Sequence, residues 1–242
     1  MDEKFTMHSP VADHFVRFAP SYDRVNHILS LGLDVRWRAR LIAEIKKRPN
    51  PRILDLCAGT LACTRAALER FPHAHVTAVD FCRPMLDCGL SRLTEPMRAG
   101  VEVICADALA LELAPASFDV VICSCGMRHL PAYKALLKKI RGWLLPDGQF
   151  IVLDFFRPTT IVSKLFHATA GRYILPVVAD LLNGYGPAYL NLYASIKHFS
   201  SRAEYERLLI TQEYAIRRSE DLTFGIVSLI AAAPIIADRH CL

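Results

Sequence analysis

The feature that most constrains this chain is a change of hydrophobic period that repeats from residue 52 to residue 155. Arg52-Ile53-Leu54-Asp55-Leu56-Cys57 is an apolar run of strand length, and Ala58-Gly59-Thr60 turns it into a helical pattern lasting to Phe71. The unit then recurs. Residues 75–80 read as a strand and 84–93 as a helix, 101–106 and 118–125 as strands, 133–145 as a helix, and 149–155 as a fifth strand after a Pro146-Asp147-Gly148 turn. Strands separated by helices pair in parallel, because each helix carries the chain back across the sheet, and such a sheet has both faces covered.

On the N-terminal side, residues 11–48 carry Phe15, Phe18, Tyr22, Val25, Ile28 and Leu29 at three- and four-residue steps until Pro49-Asn50-Pro51 breaks the pattern. After Pro158 a helix-biased region runs to residue 210, and strand candidates follow at 214–219 and 222–232. The expected fold is α/β, a doubly wound, mostly parallel seven-stranded sheet whose last pair is antiparallel. Its expected parts are a helical cap (1–50), a core (51–157), a helical insertion covering the substrate (158–212) and closing strands of the same sheet (213–242). A chain of 242 residues suffices for one such core with appendages.

Apolar residues at 52% and charged residues at 22% argue against large-scale disorder. The net charge of +5 is scattered, which argues against a nucleic-acid-binding stripe and leaves a weak attraction to anionic membrane surfaces. The first fifteen residues lack an apolar signal core, and no run of eighteen apolar residues occurs, so the expected location is cytoplasmic, at most peripheral to the inner membrane. None of the eight cysteines forms a C-x-x-C pair, and Cys123-Ser124-Cys125 is too tight for a zinc knuckle; they read as reduced thiols packed as small hydrophobes. His8, His14, His73, His75, His167 and His198 show no metal-site spacing, so no metal is expected.

In open α/β sheets ligands bind beyond the carboxyl ends of the strands, where the winding reverses. Asp55, Asp80 and Asp107 lie at such ends. Asp80 follows the glycine turn by about twenty residues, the spacing at which a carboxylate accepts both ribose hydroxyls of an adenine nucleoside. Gly59 lets backbone approach a ligand, and Thr60 adds a hydroxyl; the absence of further glycines and of a lysine disfavours a triphosphate. An ordinary strand-to-helix connection has the same appearance, so these residues alone leave both readings open.

Longer motifs discriminate. Asp55-Leu56-Cys57-Ala58-Gly59-Thr60 resembles the first motif of class I methyltransferases, Val79-Asp80-Phe81 with Met85-Leu86 their second-strand signature, and Ala106-Asp107-Ala108 their adenine contact. Tyr22-Asp23 with Asn26-His27-Ile28-Leu29-Ser30-Leu31-Gly32, then Trp37-Arg38, Ser117-Phe118-Asp119, Gly126-Met127-Arg128, Leu153-Asp154-Phe155 and Ser195-Ile196 are similar to one family, the ubiquinone/menaquinone C-methyltransferases. The resemblance runs from about residue 11 to about residue 230.

It implies a Rossmann-like S-adenosylmethionine-dependent enzyme that methylates a ring carbon of a polyprenylated hydroquinone or naphthol. By that resemblance Thr60, Asp80, Asp107, Ala108 and Ser124 contact the cofactor, with Asp55, Gly59 and Phe81 from the same motifs completing the set. Arg128 lies at the acceptor, under a cap bearing Tyr22 and Asp23. The enzyme must align the ring carbon with the activated methyl group, stabilise a ring oxygen that gains charge, and remove a proton. His129, where the family usually has asparagine, is either the base or a cap for a helix starting near Pro131.

One departure stands out: Leu61 occupies the place of a third motif glycine, where a branched side chain would meet the cofactor's methionine tail. Two other readings follow. One keeps the cofactor but methylates a small phenolic or polyketide metabolite. The other is a cofactor-free accessory protein of quinone biosynthesis. Aromatic and apolar residues at 161–199 read as core or lid packing, or as the wall for a prenyl tail and a face resting on a membrane. A homodimer stays open.

Overall fold

The computed structural model describes residues 15–184 and 186–235. His8 and His14, residues 11–14 of the N-terminal helical pattern and one of the eight cysteines, Cys241, lie outside the described residues.

Seven strands form one sheet: β1 (Arg52–Leu56), β2 (His75–Asp80), β3 (Val101–Cys105), β4 (Phe118–Ser124), β5 (Leu144–Asp154), β6 (Tyr214–Leu222) and β7 (Val227–Pro234), in the order β3-β2-β1-β4-β5-β7-β6. The first five are parallel, and β7 runs antiparallel to both β5 and β6. The order therefore reverses between β1 and β4, and that is where a crevice opens beyond the strand ends.

Alternation along the strands divides the core into two layers. Ile53, Ile122, Ile151 and Leu229 point to the face covered by α2 (Leu33–Glu44) and α3 (Ala62–Arg70), through Trp37, Leu41, Ala67 and Leu68. Leu54, Val121, Phe150 and Ile230 point to the face covered by α6 (Tyr133–Trp143) and α10 (Arg202–Thr211), through Leu136, Leu137, Ile140, Tyr205 and Leu209. Each such leucine or isoleucine stabilises the fold by roughly 1.5–3 kcal/mol through burial alone. A capping box starts α10: the Ser201 hydroxyl accepts the Glu204 N–H, and Glu204 Oε2 accepts the Ser201 N–H at 2.8 Å.

Three boundaries differ from the sequence expectation. Of the closing strands expected at 214–219 and 222–232, β6 runs on to Leu222 and β7 begins only at Val227, because Thr223–Gly225 form the turn between them. The N-terminal helical pattern is two helices, α1 (Tyr22–Leu29) and α2, because Leu31 (φ +54°) and Gly32 (φ +77°) are left-handed and turn the chain. Residues 144–148, expected as the end of a helix and a turn, already belong to β5. Its pairing with β4 jumps from Phe118↔Leu144 to Val120↔Gln149, so the Pro146-Asp147-Gly148 turn is absorbed as a bulge.

At the amino ends of the strands the layers are fastened by polar side chains. Gln149, 4% exposed, accepts the Lys46 N–H at 2.8 Å, and Asp119 accepts the Arg52 N–H at 2.9 Å and an Arg48 guanidinium N–H at 2.8 Å. Between β5 and β6 the chain forms α7 (Ile161–Phe166), a π-helical stretch (His167–Ile174), α8 (Leu175–Asn183), α9 (Gly186–His198) and α10. Among the described residues no helix is long and apolar enough to cross a membrane. The described cysteines are all free thiols; Cys63, Cys82 and Cys123 are buried as expected, while Cys105 is exposed.

Candidate functional site

A cavity of about 360 Å³ lies beyond the carboxyl ends of β1, β2 and β4, a volume within the range of small-molecule sites, roughly 300–1,000 Å³. Of the residues singled out in the sequence, Tyr22, Asp23, Asp55, Gly59, Thr60, Asp80, Phe81, Ser124, Arg128 and His129 line it. Asp107 and Ala108 do not. The Asp107 carboxylate folds onto the Leu109 N–H at 2.9 Å, and Ala108 is buried in the core with Val79 and Leu111.

The backbone around the cavity is strained. Cys57, Gly59, Leu61 and Cys125 all adopt left-handed φ between +52° and +57°, a conformation that side chains other than glycine hold only where surrounding structure enforces it, and which concentrates at ligand sites. At residue 61 this has a direct consequence. The Leu61 side chain is not on the cavity wall; it is 1% exposed and packs with Ala78, Leu86 and Leu93. The obstruction expected from a leucine in place of the glycine is therefore absent, and the accessory-protein reading loses its basis.

The β1 and β2 side of the cavity offers acceptors. Asp80 Oδ2 accepts the Gly59 N–H and Oδ1 the Cys82 N–H, both at 2.8 Å, which fixes the carboxylate and leaves lone pairs for a ligand's hydroxyls. Burial raises its pKa, and those same N–H groups oppose the rise. Asp55 Oδ2 accepts the Thr64 hydroxyl at 2.7 Å, whereas Oδ1 is buried with no hydrogen-bond partner. Burial pushes the Asp55 carboxyl up to about 7. An unsatisfied buried acceptor on a cavity wall suits a cationic or N–H donor in the ligand.

The β4 side is different in kind. Arg128 Nη1 donates to Asp154 Oδ1 at 2.5 Å and to the Cys125 carbonyl at 2.7 Å, its guanidinium stacks 5.2 Å from the Phe155 ring, and its Nε has no partner. Burial works against the Arg128 charge, but Asp154 and Cys125 outweigh it and hold its pKa above the ordinary value. His129 sits in the 3₁₀ turn Met127–His129, its ring edge-on to Phe15 with centroids 6.0 Å apart. It caps nothing: α6 begins at Tyr133 behind Ala132, without a side-chain cap. Burial first, and then the neighbouring Arg128 charge, push the His129 imidazole well below its usual range, so it is neutral at pH 7.

From above, α1 closes the cavity. Thr60 Oγ1 donates to Asp23 Oδ1 at 2.6 Å, and Arg92, at the end of α4 (Arg83–Arg92), is paired with the same carboxylate. Asn26 accepts the Tyr189 hydroxyl at 2.5 Å, joining α1 to α9. Tyr22, in the same cap, is pushed up to about 12, chiefly by burial, and stays a neutral hydroxyl. Sequence reasoning assigned no role to Asp154 or Arg92, and it read Tyr189 only as one of the aromatic residues of a core, lid or prenyl wall. Asp154 carried a signal, an acid ending a strand as Asp80 does; Arg92 carried none, since its partner is 69 residues away.

A model of the ubiE/COQ5 methyltransferase family matches residues 2–233. Over 215 residues the chain is 33% identical to a demethylmenaquinone methyltransferase of Thermus thermophilus, covering 89% of this chain and 97% of that protein. It is 31% identical to a ubiquinone/menaquinone biosynthesis C-methyltransferase UbiE of Syntrophotalea carbinolica, covering 89% and 90%. An S-adenosylmethionine-dependent methyltransferase structure from Mesorhizobium loti superposes with a TM-score of 0.60 over 84% of this chain and 100% of that one; at 18% identity the likeness shows the fold alone.

Proposed function

We propose that this chain, which belongs to the ubiE/COQ5 methyltransferase family and is therefore an S-adenosyl-L-methionine-dependent methyltransferase, methylates a ring carbon of a demethylated polyprenyl quinol. The observation that carries this reading is one cavity with carboxylate acceptors on one wall and a buried guanidinium beside a neutral imidazole on another.

The acceptors suit the cofactor's donors. Asp80 would take the ribose hydroxyls, the unpartnered Asp55 oxygen the methionine ammonium, and the Gly59 turn the tail, with Thr60, Phe81 and Ser124 completing the wall. When bound, the cofactor supplies an activated sulfonium methyl group. The chain's own residues do the rest. Arg128, held by Asp154, stabilises negative charge on the ring oxygen as the ring carbon becomes nucleophilic. His129, neutral at pH 7, accepts the phenolic proton; burial and the Arg128 charge, which lower its pKa, keep it unprotonated there but make it a weaker base. Tyr22 donates a hydrogen bond to the ring oxygen, and Asp23 ties the cap to Thr60 so that water is kept out.

Calorimetric titration of the chain and of Asp80→Ala with S-adenosylmethionine, followed by turnover of demethylmenaquinol in detergent micelles, tests the proposal. Micromolar binding that the variant loses, with the product gaining one methylene in mass, supports it. Binding without turnover of any quinol would move the assignment to another phenolic acceptor.

A further inference from the structure

Half of the large apolar side chains exposed in the described structure fall within residues 161–182, on α7, the π-helical stretch and α8. The inner sides of these helices are ordinary: Phe166 and Leu175 line the cavity, and Ala179 packs on Val25 of α1. The outer sides carry Ile161 (85% exposed), Leu165, Val177 and Leu181 (82%). A surface helix of a water-soluble protein sets a polar outer face against its apolar inner one, whereas these helices are apolar on both, and contiguous exposed apolar surface marks a binding face.

The patch continues on both sides. Thr160 donates to the Phe224 carbonyl at 3.4 Å, which brings the exposed Phe224, held at φ +58°, beside the start of α7. On the other side α1 packs on α8, so the α1–α2 corner with Leu31, 89% exposed, adjoins the patch; Leu31 also forms part of the cavity's rim. The helices that carry it have an excess of positive charge: with Arg157 paired to Glu204, Lys164, Arg172 and Lys197 remain between residues 155 and 200 against a single acid, Asp180. A second copy meeting this face across a two-fold axis would set like charges against each other, while an anionic surface would complement them.

We propose that this face docks on an anionic lipid bilayer, lying in the headgroup plane without crossing it, so that a lipid-tailed acceptor passes from the bilayer by Leu31 into the cavity. The entry route rests on the acceptor proposed above; the docking does not. Interfacial helices bury their apolar face a few ångströms into the headgroup boundary, aided by anionic lipid.

Flotation of the full chain with phosphatidylcholine vesicles, with and without phosphatidylglycerol, tests it alongside Leu165→Glu/Leu181→Glu. Neither leucine touches the cavity, so the thermal midpoint and S-adenosylmethionine affinity serve as folding controls. The expected result is flotation with the anionic vesicles that falls about tenfold in the variant and weakens with salt. Selective loss of turnover for a vesicle-borne acceptor, with a tailless one unaffected, would support the route. Equal flotation of variant and parent, no flotation of the parent, or a parent dimer that the variant makes monomeric would overturn it. Absent flotation with methyl transfer intact sinks the docking alone; flotation without cofactor binding sinks the catalytic reading alone.

Discussion

Leu61 and Gly89 fit only as a pair: a methyl group added at residue 89 would stand 2.5 Å from Leu61 Cγ and 2.7 Å from the Thr60 carbonyl. Gly89→Ala is therefore expected to destabilise the protein by about 2 kcal/mol despite alanine's better helix propensity, because the backbone of the turn cannot yield. Leu61→Gly relieves a left-handed residue, worth about 1 kcal/mol, but empties a buried site worth about 2–5. Thermal denaturation should show both variants melting lower, and calorimetry should show no gain in cofactor affinity for Leu61→Gly. Tighter binding by that variant would mean that the leucine obstructs the site after all.

Asp55 makes stability depend on pH in an unusual direction for a carboxylate. Its folded pKa, about 7, lies above the unfolded value, so the folded state holds the proton more tightly. The associated stability is fully present below about pH 4 and is lost as pH rises through 7, on the order of 4 kcal/mol at most. Asp55→Asn should flatten that part of the ligand-free protein's stability curve. Denaturant midpoints measured between pH 5 and pH 8 with unchanged slope in the variant would refute the assignment.

The Thr60–Asp23–Arg92 tie predicts an effect on cofactor residence more than on folding. Asp23 and Arg92 are each 35% exposed while the Thr60 hydroxyl is buried, so Asp23→Ala should lower stability by only about 1 kcal/mol. Release of S-adenosylmethionine, followed by stopped-flow fluorescence, should accelerate roughly fivefold as the cap loosens. Arg92→Ala should do the same more weakly. An unchanged release rate in Asp23→Ala would mean that the cap stays shut without it.

His129→Gln separates binding from chemistry. Cofactor affinity should hold, while kcat should fall about a hundredfold if the imidazole carries the proton. Since burial and the Arg128 charge hold the imidazole well below its usual range, the parent's kcat profile should lack an imidazole inflection between pH 6 and pH 8. Activity within twofold of the parent would place the base elsewhere.

The periodicity of residues 52–155 carried the parallel direction and double cover of the sheet, because alternation of strand and helix constrains topology more than any single motif does. It did not carry the corner at Gly32 or the early start of β5, since a left-handed residue and a bulge leave the apolar pattern almost unchanged. The same blindness misread Leu61, whose positive φ turns Cβ away from the ligand and into the core. Asp80 could be singled out from its position at a strand end and Arg128 only through the family resemblance, whereas the ties that hold Arg128 or close the cap over the cavity join residues far apart in sequence, Asp154 with Arg128 and Arg92 with Asp23.

The fastening by Gln149, Asp119 and Arg48 sits at the end of the sheet remote from the cavity. Foldability and selectivity are thereby entrusted to opposite edges of one scaffold. A wall residue such as Phe166 or Leu175 can be exchanged at only local expense, so a lineage built this way can sample new acceptors one substitution at a time while its sheet goes on assembling as before.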